Sequence, residues 1–149
     1  MATKKKNVIT RKRKVTPKTA SGNGLPTLFR INVEVADVER AAKEWGTLLG
    51  AVGRPQAGSR VYFTTGGVTL QVVECDPPHP AAKALYFLVD ELEPIHARAA
   101  TLGWISKESV HGEPGGEISV RPWGERSFYA QDPWGNPLCF VQSGTVYPG

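Results

Sequence analysis

The sequence predicts an α+β protein built of two tandem βαβββ modules behind a basic N-terminal arm. Three observations carry that reading. Residues 29–35 alternate apolar and polar, then give way to a helical period that Gly50 stops. The same plan returns over residues 84–103, again with an acidic start, one apolar helix face and a terminal glycine. Each half then runs on into short strands folded about a glycine-containing turn.

Composition sets the bounds. Of 149 residues, 40% are apolar and 21% charged, which suits a globular chain with a core that needs no staples. The two cysteines, Cys75 and Cys139, are too few for a disulfide framework. No apolar run approaches the ~20 residues that span a bilayer, and the N-terminus has no cleavable apolar segment, so a cytoplasmic protein without membrane contact is expected. The net charge of +4 is unevenly placed. Eight of the 18 basic residues fall between Lys4 and Lys18, whereas all 14 acidic residues come later. The body therefore carries ten basic against 14 acidic residues, a net of −4.

Residues 1–26 hold almost nothing to bury and read as a flexible basic arm. Its Arg11-Lys12-Arg13-Lys14 cluster suits nonspecific contact with nucleic-acid phosphates, a solubilising tail or a localisation signal. From Phe29 the alternation of Phe29, Ile31, Val33 and Val35 with Arg30, Asn32 and Glu34 marks a half-buried strand. Asp37 stands at an N-cap position, and Val38, Ala41, Ala42, Trp45, Leu48 and Leu49 form a helix face. Residues 60–65 and 68–74 read as strands around Gly66-Gly67, and Pro77-Pro78 closes the first module, about 28–76. The second module, about 83–143, begins with an apolar strand over 84–89. Asp90 and Glu91 open its helix, Leu92, Ile95, Ala99 and Leu102 line the helix face, and Gly103 ends it. Strands follow over 118–121, 127–131 and 137–142, the last two joined by a tight turn at Asp132–Asn136. Residues 108–117, rich in Gly and Pro, read as a mobile loop that covers a ligand or as a connector.

The order of these elements, with "VADVERA" opening the first helix, "LLG" ending it and the late run "RPWGERSFYAQDPWGNPLCFVQ", resembles the vicinal oxygen chelate superfamily of glyoxalases, extradiol dioxygenases and bleomycin-resistance proteins. The resemblance covers residues 28–142 and implies one domain over 27–149, its modules forming a cupped mixed sheet. It further implies four strand positions facing the cup, which supply metal ligands in the enzymes. Counted onto this chain they are Arg30, Gln71, Ala84 (Lys83 in the alternative alignment) and Cys139. Guanidinium has no lone pair to give and Ala no donor atom, so the set argues against the family's metal chemistry and for a chain with no metal or other cofactor.

Strand parity places Arg30, Asn32, Glu34, Gln71, Tyr86 and Cys139 on the cup face, and Trp123 in the turn-rich segment at its rim. Polar handles among apolar walls are what a small-molecule pocket needs; alternatively, Arg30 and Glu34 pair with each other across a structural cleft. Cys139 reads either as a nucleophile activated by Arg30 or as a small buried residue. His79, His96 and His111 recur at no ligand spacing and read as solvent or loop histidines. The leading expectation is a binding protein that sequesters an antibiotic or metabolite in cups completed by a homodimer, the resemblance being closest to the bleomycin-resistance branch. The alternatives are a lyase, isomerase or dioxygenase-type enzyme with a rebuilt site, or a nucleic-acid-associated protein acting through its arm.

Overall fold

The computed structural model describes residues 28–148. The basic arm lies outside the described residues. The first module runs β1 (Arg30–Val35), α1 (Val38–Leu49), β2 (Arg54–Gln56), β3 (Arg60–Thr65) and β4 (Val68–Glu74). The second runs β5 (Leu85–Val89), α2 (Leu92–Leu102), a β6 (Ser109–Val110) and β7 (Glu113–Pro114) hairpin, β8 (Ser119–Val120), β9 (Arg126–Gln131) and β10 (Pro137–Gln142). Each module forms a four-stranded mixed sheet, ordered β1-β4-β3-β2 and β5-β10-β9-β8. The first strand of each pairs in parallel with the last, and the other pairs are antiparallel.

The helices follow from their caps. Asp37 accepts a hydrogen bond from the Arg40 amide at 2.9 Å, and Gly50 ends α1 at φ 64°, a conformation that costs a side-chain-bearing residue steric strain. In α2 the N-cap is Glu91 and its side chain makes no capping bond. Asp90 instead accepts from the Ser143 hydroxyl at 2.9 Å, which ties the start of α2 to the end of β10.

One core joins the modules. Val33, Val35, Leu70 and Val72 of the first sheet and Phe128, Ala130, Leu138 and Phe140 of the second are buried beneath α1 and α2. Trp45 and Trp104 meet edge to face at 5.5 Å between the helices, and Phe87, Phe140 and Phe128 stack in series at 5.2 and 5.1 Å. Burying these side chains leaves the other face of each sheet, the one turned away from the helices, to the site.

Three details depart from the sequence reading. Residues 108–117 are not a loose loop: β6 and β7 pair, and Gly115 and Gly116 are buried. A Cβ on Gly116 would lie 2.4 Å from the Ser106 carbonyl oxygen, so this segment approaches its neighbours as only glycine permits. His96 is not a solvent histidine, since its Nε2 lies 2.9 Å from the Gly116 carbonyl and its ring meets Phe128 edge to face. Strand β2, three exposed residues containing Pro55, was not anticipated.

Candidate functional site

The ladder register fixes which side chains share the open face of the first sheet. Asn32 lies beside Gln71, and Gln71 opposite Tyr62; Glu34 lies beside Val73, and Val73 opposite Arg60. Arg30 is exposed, its guanidinium 5.0 Å above the Tyr62 ring and 5.1 Å from that of Phe29. It does not pair with Glu34. The Glu34 carboxylate accepts the His79 backbone N–H at 2.6 Å and lies 3.3 Å from His79 Nδ1. That backbone donor is the foremost reason its carboxyl is held below the usual range, with burial opposing. His79 therefore joins the site through a loop contact that no spacing in the sequence announced. Gln71 is buried, donates Nε2 to Asn32 Oδ1 at 3.0 Å, and keeps an Oε1 with no partner among the described residues.

The second sheet presents Tyr86, Cys139 and Tyr129 in one row and Leu88, Val141, Ser127 and Ser119 in the next. Tyr86 and Leu88 are 63% and 64% exposed, unusual for two large apolar residues on adjacent same-face positions of a strand. The Tyr86 and Tyr129 hydroxyls are 3.5 Å apart, and burial raises the Tyr129 phenol above its ordinary range. Cys139 is 1% exposed, and burial pushes its thiol up to about 11. That removes the nucleophile reading at neutral pH and puts Cys139 in the floor of the face.

Sequence reasoning missed Arg121. Only 2% exposed, it lies on this face with Nε donating to the Ser127 hydroxyl at 3.1 Å and Nη2 to the Gly115, Glu117 and Ser127 carbonyls at 3.1 to 3.2 Å. Its guanidinium also stacks 5.4 Å from the Tyr129 ring centre. It anchors the β6–β7 segment over the sheet; the glycines at 115 and 116 were the only sequence signal of that close approach. The Trp123 ring meets His111 edge to face at 4.8 Å, and its Nε1 donates to Glu125 at 2.8 Å. A hollow of about 270 Å³ lies beside Tyr86, Leu88 and Val141, lined also by Phe87 and Val146, with Glu125 its one charged lining residue among the described residues.

No protein-family model matches the chain, and no curated protein matches it in sequence. Solved structures match it closely in shape. A glyoxalase/bleomycin resistance protein from Albidiferax ferrireducens T118 is 20% identical, with a TM-score of 0.64 over 76% of this chain and 95% of its own. The oxidase ChaP-H1 is 24% identical, with a TM-score of 0.67 over 84% and 100%. A bleomycin-binding protein solved with bleomycin is 17% identical, with a TM-score of 0.59 over 80% and 99%. The chain has the vicinal oxygen chelate fold. The order of elements and the paired sheets agree with what the sequence resemblance implied.

The four positions counted onto this chain as metal ligands differ in what they offer. Arg30 and Ala84 offer no donor, and Gln71 and Cys139 stand on separate sheets. Among the described residues no group of three or more His, Cys, Asp or Glu side chains is placed to hold a metal. No described helix is long and apolar enough to cross a membrane.

Proposed function

We propose that this protein binds a small, cationic amphipathic molecule on the open sheet faces and sequesters it without a metal and without transforming it. The observation that carries the reading is the second sheet's face, where exposed Tyr86 and Leu88 flank a hollow whose one charge among the described residues is the Glu125 carboxylate. Glu34 on the first sheet and a body charge of −4 favour the same sign of guest. The two faces belong to sheets that share no ladder, and among the described residues no strand pairs with the outer edge of β1 or β5. A second copy that sets its first sheet beside this chain's second would cover Tyr86 and Leu88 and bring Asn32, Glu34 and Gln71 to the same guest, with Arg30 there for an anionic group at one point of it. A homodimer is therefore part of the proposal. The shared fold with a bleomycin-binding protein makes bleomycin a reasonable first probe.

The test is a thermal-shift screen of antibiotics, cationic metabolites and divalent metals on the full chain. A guest that binds the native state raises apparent stability by RT ln(1 + [L]/Kd). Stabilisation by organic cations with no response to metals is expected. Stabilisation by a divalent metal, with an ion bound at Gln71 or Cys139, would overturn the proposal.

A further inference from the structure

Two modules built on one plan enclose unequal spaces. A single offset relates them through the first strand and helix: Asn32 corresponds to Tyr86, the caps Asp37 and Glu91 correspond, and so do Glu44 and Arg98, and Gly50 and Trp104. The contacts repeat with it. Trp104 donates its Nε1 to Glu44 at 3.3 Å, and at the related place Arg98 lies against Gly50, where a Cβ would sit 2.6 Å from Nη1.

On the β1 side this space is full. Trp45 and Trp104 occupy it, and the Asp132–Asn136 turn brings in Trp134 and seats Asn136 on the strand edge. On the β5 side the corresponding positions are Ala99 and Gly50, and the turn between β3 and β4 is Gly66-Gly67. A cleft of about 440 Å³ results, bounded by that turn, α2 and β5. Such a volume lies within the ordinary range for small-molecule sites. Phe63, Ile95 and Phe140 give it apolar walls; among the described residues no carboxylate lines it, and Arg98 is its one charged residue. The Arg98 Nε is buried without a hydrogen-bond partner among the described residues. That nitrogen lacks the acceptor that its burial calls for.

The strand edge supplies a second handle. Tyr86, Phe87, Leu88 and Val89 all line the cleft, so it runs along the unpaired side of β5. The Val89 carbonyl accepts from the Ser143 amide at 2.7 Å on the β10 side, and alternation then turns the Leu88 amide and carbonyl into the cleft. At the corresponding position of β1, the Glu34 carbonyl is capped by Asn136 Nδ2 at 2.9 Å. The first module's turn has glycines where the second has that amide.

We propose that this cleft is a second binding site, opening along the β5 edge and sharing Tyr86 and Leu88 with the sheet face, for a flat aromatic carboxylate with a ring N–H donor. The carboxylate meets Arg98, the ring takes the space that tryptophans fill in the other module, and the N–H meets the Leu88 carbonyl. The test titrates indole-3-acetate into full-length protein carrying labelled Ile and Leu methyls, followed by NMR. Saturable shifts at Ile95 and Leu49 are expected. Indole-3-acetamide, which keeps the shape and loses the charge, should bind at least roughly tenfold more weakly, Arg98→Gln should weaken indole-3-acetate similarly, and Arg98→Lys should lose less. The absence of saturable shifts, equal affinity for acid and amide, or shifts confined to the Val141 side of the second sheet would overturn the proposal. Should Arg98→Gln fail to fold, the acid and amide comparison on the unmodified chain decides alone.

Discussion

Replacing Asn136 with Ala tests how the second module is locked onto the first. Asn136 is wholly buried in the turn between β9 and β10. Its Nδ2 donates to the Glu34 carbonyl and to Asp132 Oδ2, both at 2.9 Å, and its Oδ1 accepts the Ala81 amide at 2.9 Å. Truncation strips one carbonyl, one amide and one carboxylate oxygen of these partners at once. At about 1 to 2 kcal/mol for each such group, the loss should come to about 4 kcal/mol. For a chain of this length that corresponds to a fall in Tm of about 10 °C. Urea unfolding followed by tryptophan fluorescence measures it, and an unchanged m-value would show that the loss belongs to the native state. Asn136→Asp should cost more at pH 7, because it sets a second carboxylate beside Asp132, whose carboxyl burial already holds above its usual range; part of that loss should return as the pair takes up a proton on acidification. Val68→Ala, at the start of β4 just after the corresponding turn of the first module, should cost under about 1.5 kcal/mol, as a partly exposed side chain with no hydrogen bond to lose. A cost below about 1 kcal/mol for Asn136→Ala would refute the clamp.

Three further outcomes are expected. By NMR titration Glu34 should protonate below the ordinary carboxylate range, and His79→Ala should keep most of that lowering because the foremost donor is the His79 backbone; the stability it contributes is present above the ordinary value and lost as pH falls through the folded one. A full return to the ordinary range in His79→Ala would assign the effect to the imidazole. Cys139 should resist iodoacetamide at pH 7.5 in the native state and react only on unfolding, and rapid native labelling would contradict its buried, raised thiol. Deleting residues 1–24 should leave guest binding intact and abolish most salt-dependent retention on polyanions, since eight basic residues leave with the arm and the body is net negative. Undiminished retention would place the polyanion contact in the body.

The modules were legible because their signals are local. Alternation from Phe29 to Val35, the Asp37 cap, the α1 face and Gly50 each act within a few residues, and the second copy repeats them. Parity likewise placed Arg30, Asn32, Glu34, Gln71 and Tyr86 on the open faces, since a strand's period of two leaves no other choice. What parity cannot specify is depth. It put Cys139 on the correct face without showing that Arg121 and the β6–β7 segment pack on that face. Arg121 itself was illegible, because its burial rests on carbonyls of residues 115, 117 and 127 that converge only after folding. The Glu34 and His79 contact spans 45 positions and follows from the path of the connection between modules, not from any motif. Residues 108–117 read as a mobile loop or a connector since Gly and Pro mark turns; in the fold Gly115 and Gly116 mark close packing instead.

The most direct measurement is calorimetric titration of a guest found in the screen, or of bleomycin, against the full chain and its Tyr86→Ala, Glu34→Ala, Arg30→Ala and Gln71→Ala variants, with the oligomeric state followed in parallel. Binding on faces shared by two copies predicts that each variant loses affinity, by about 1.5 to 3 kcal/mol where a charged hydrogen bond is removed, while melting in the free state barely changes. Unchanged affinity in all four, together with a fall in melting temperature, would contradict it and leave these residues as parts of the scaffold.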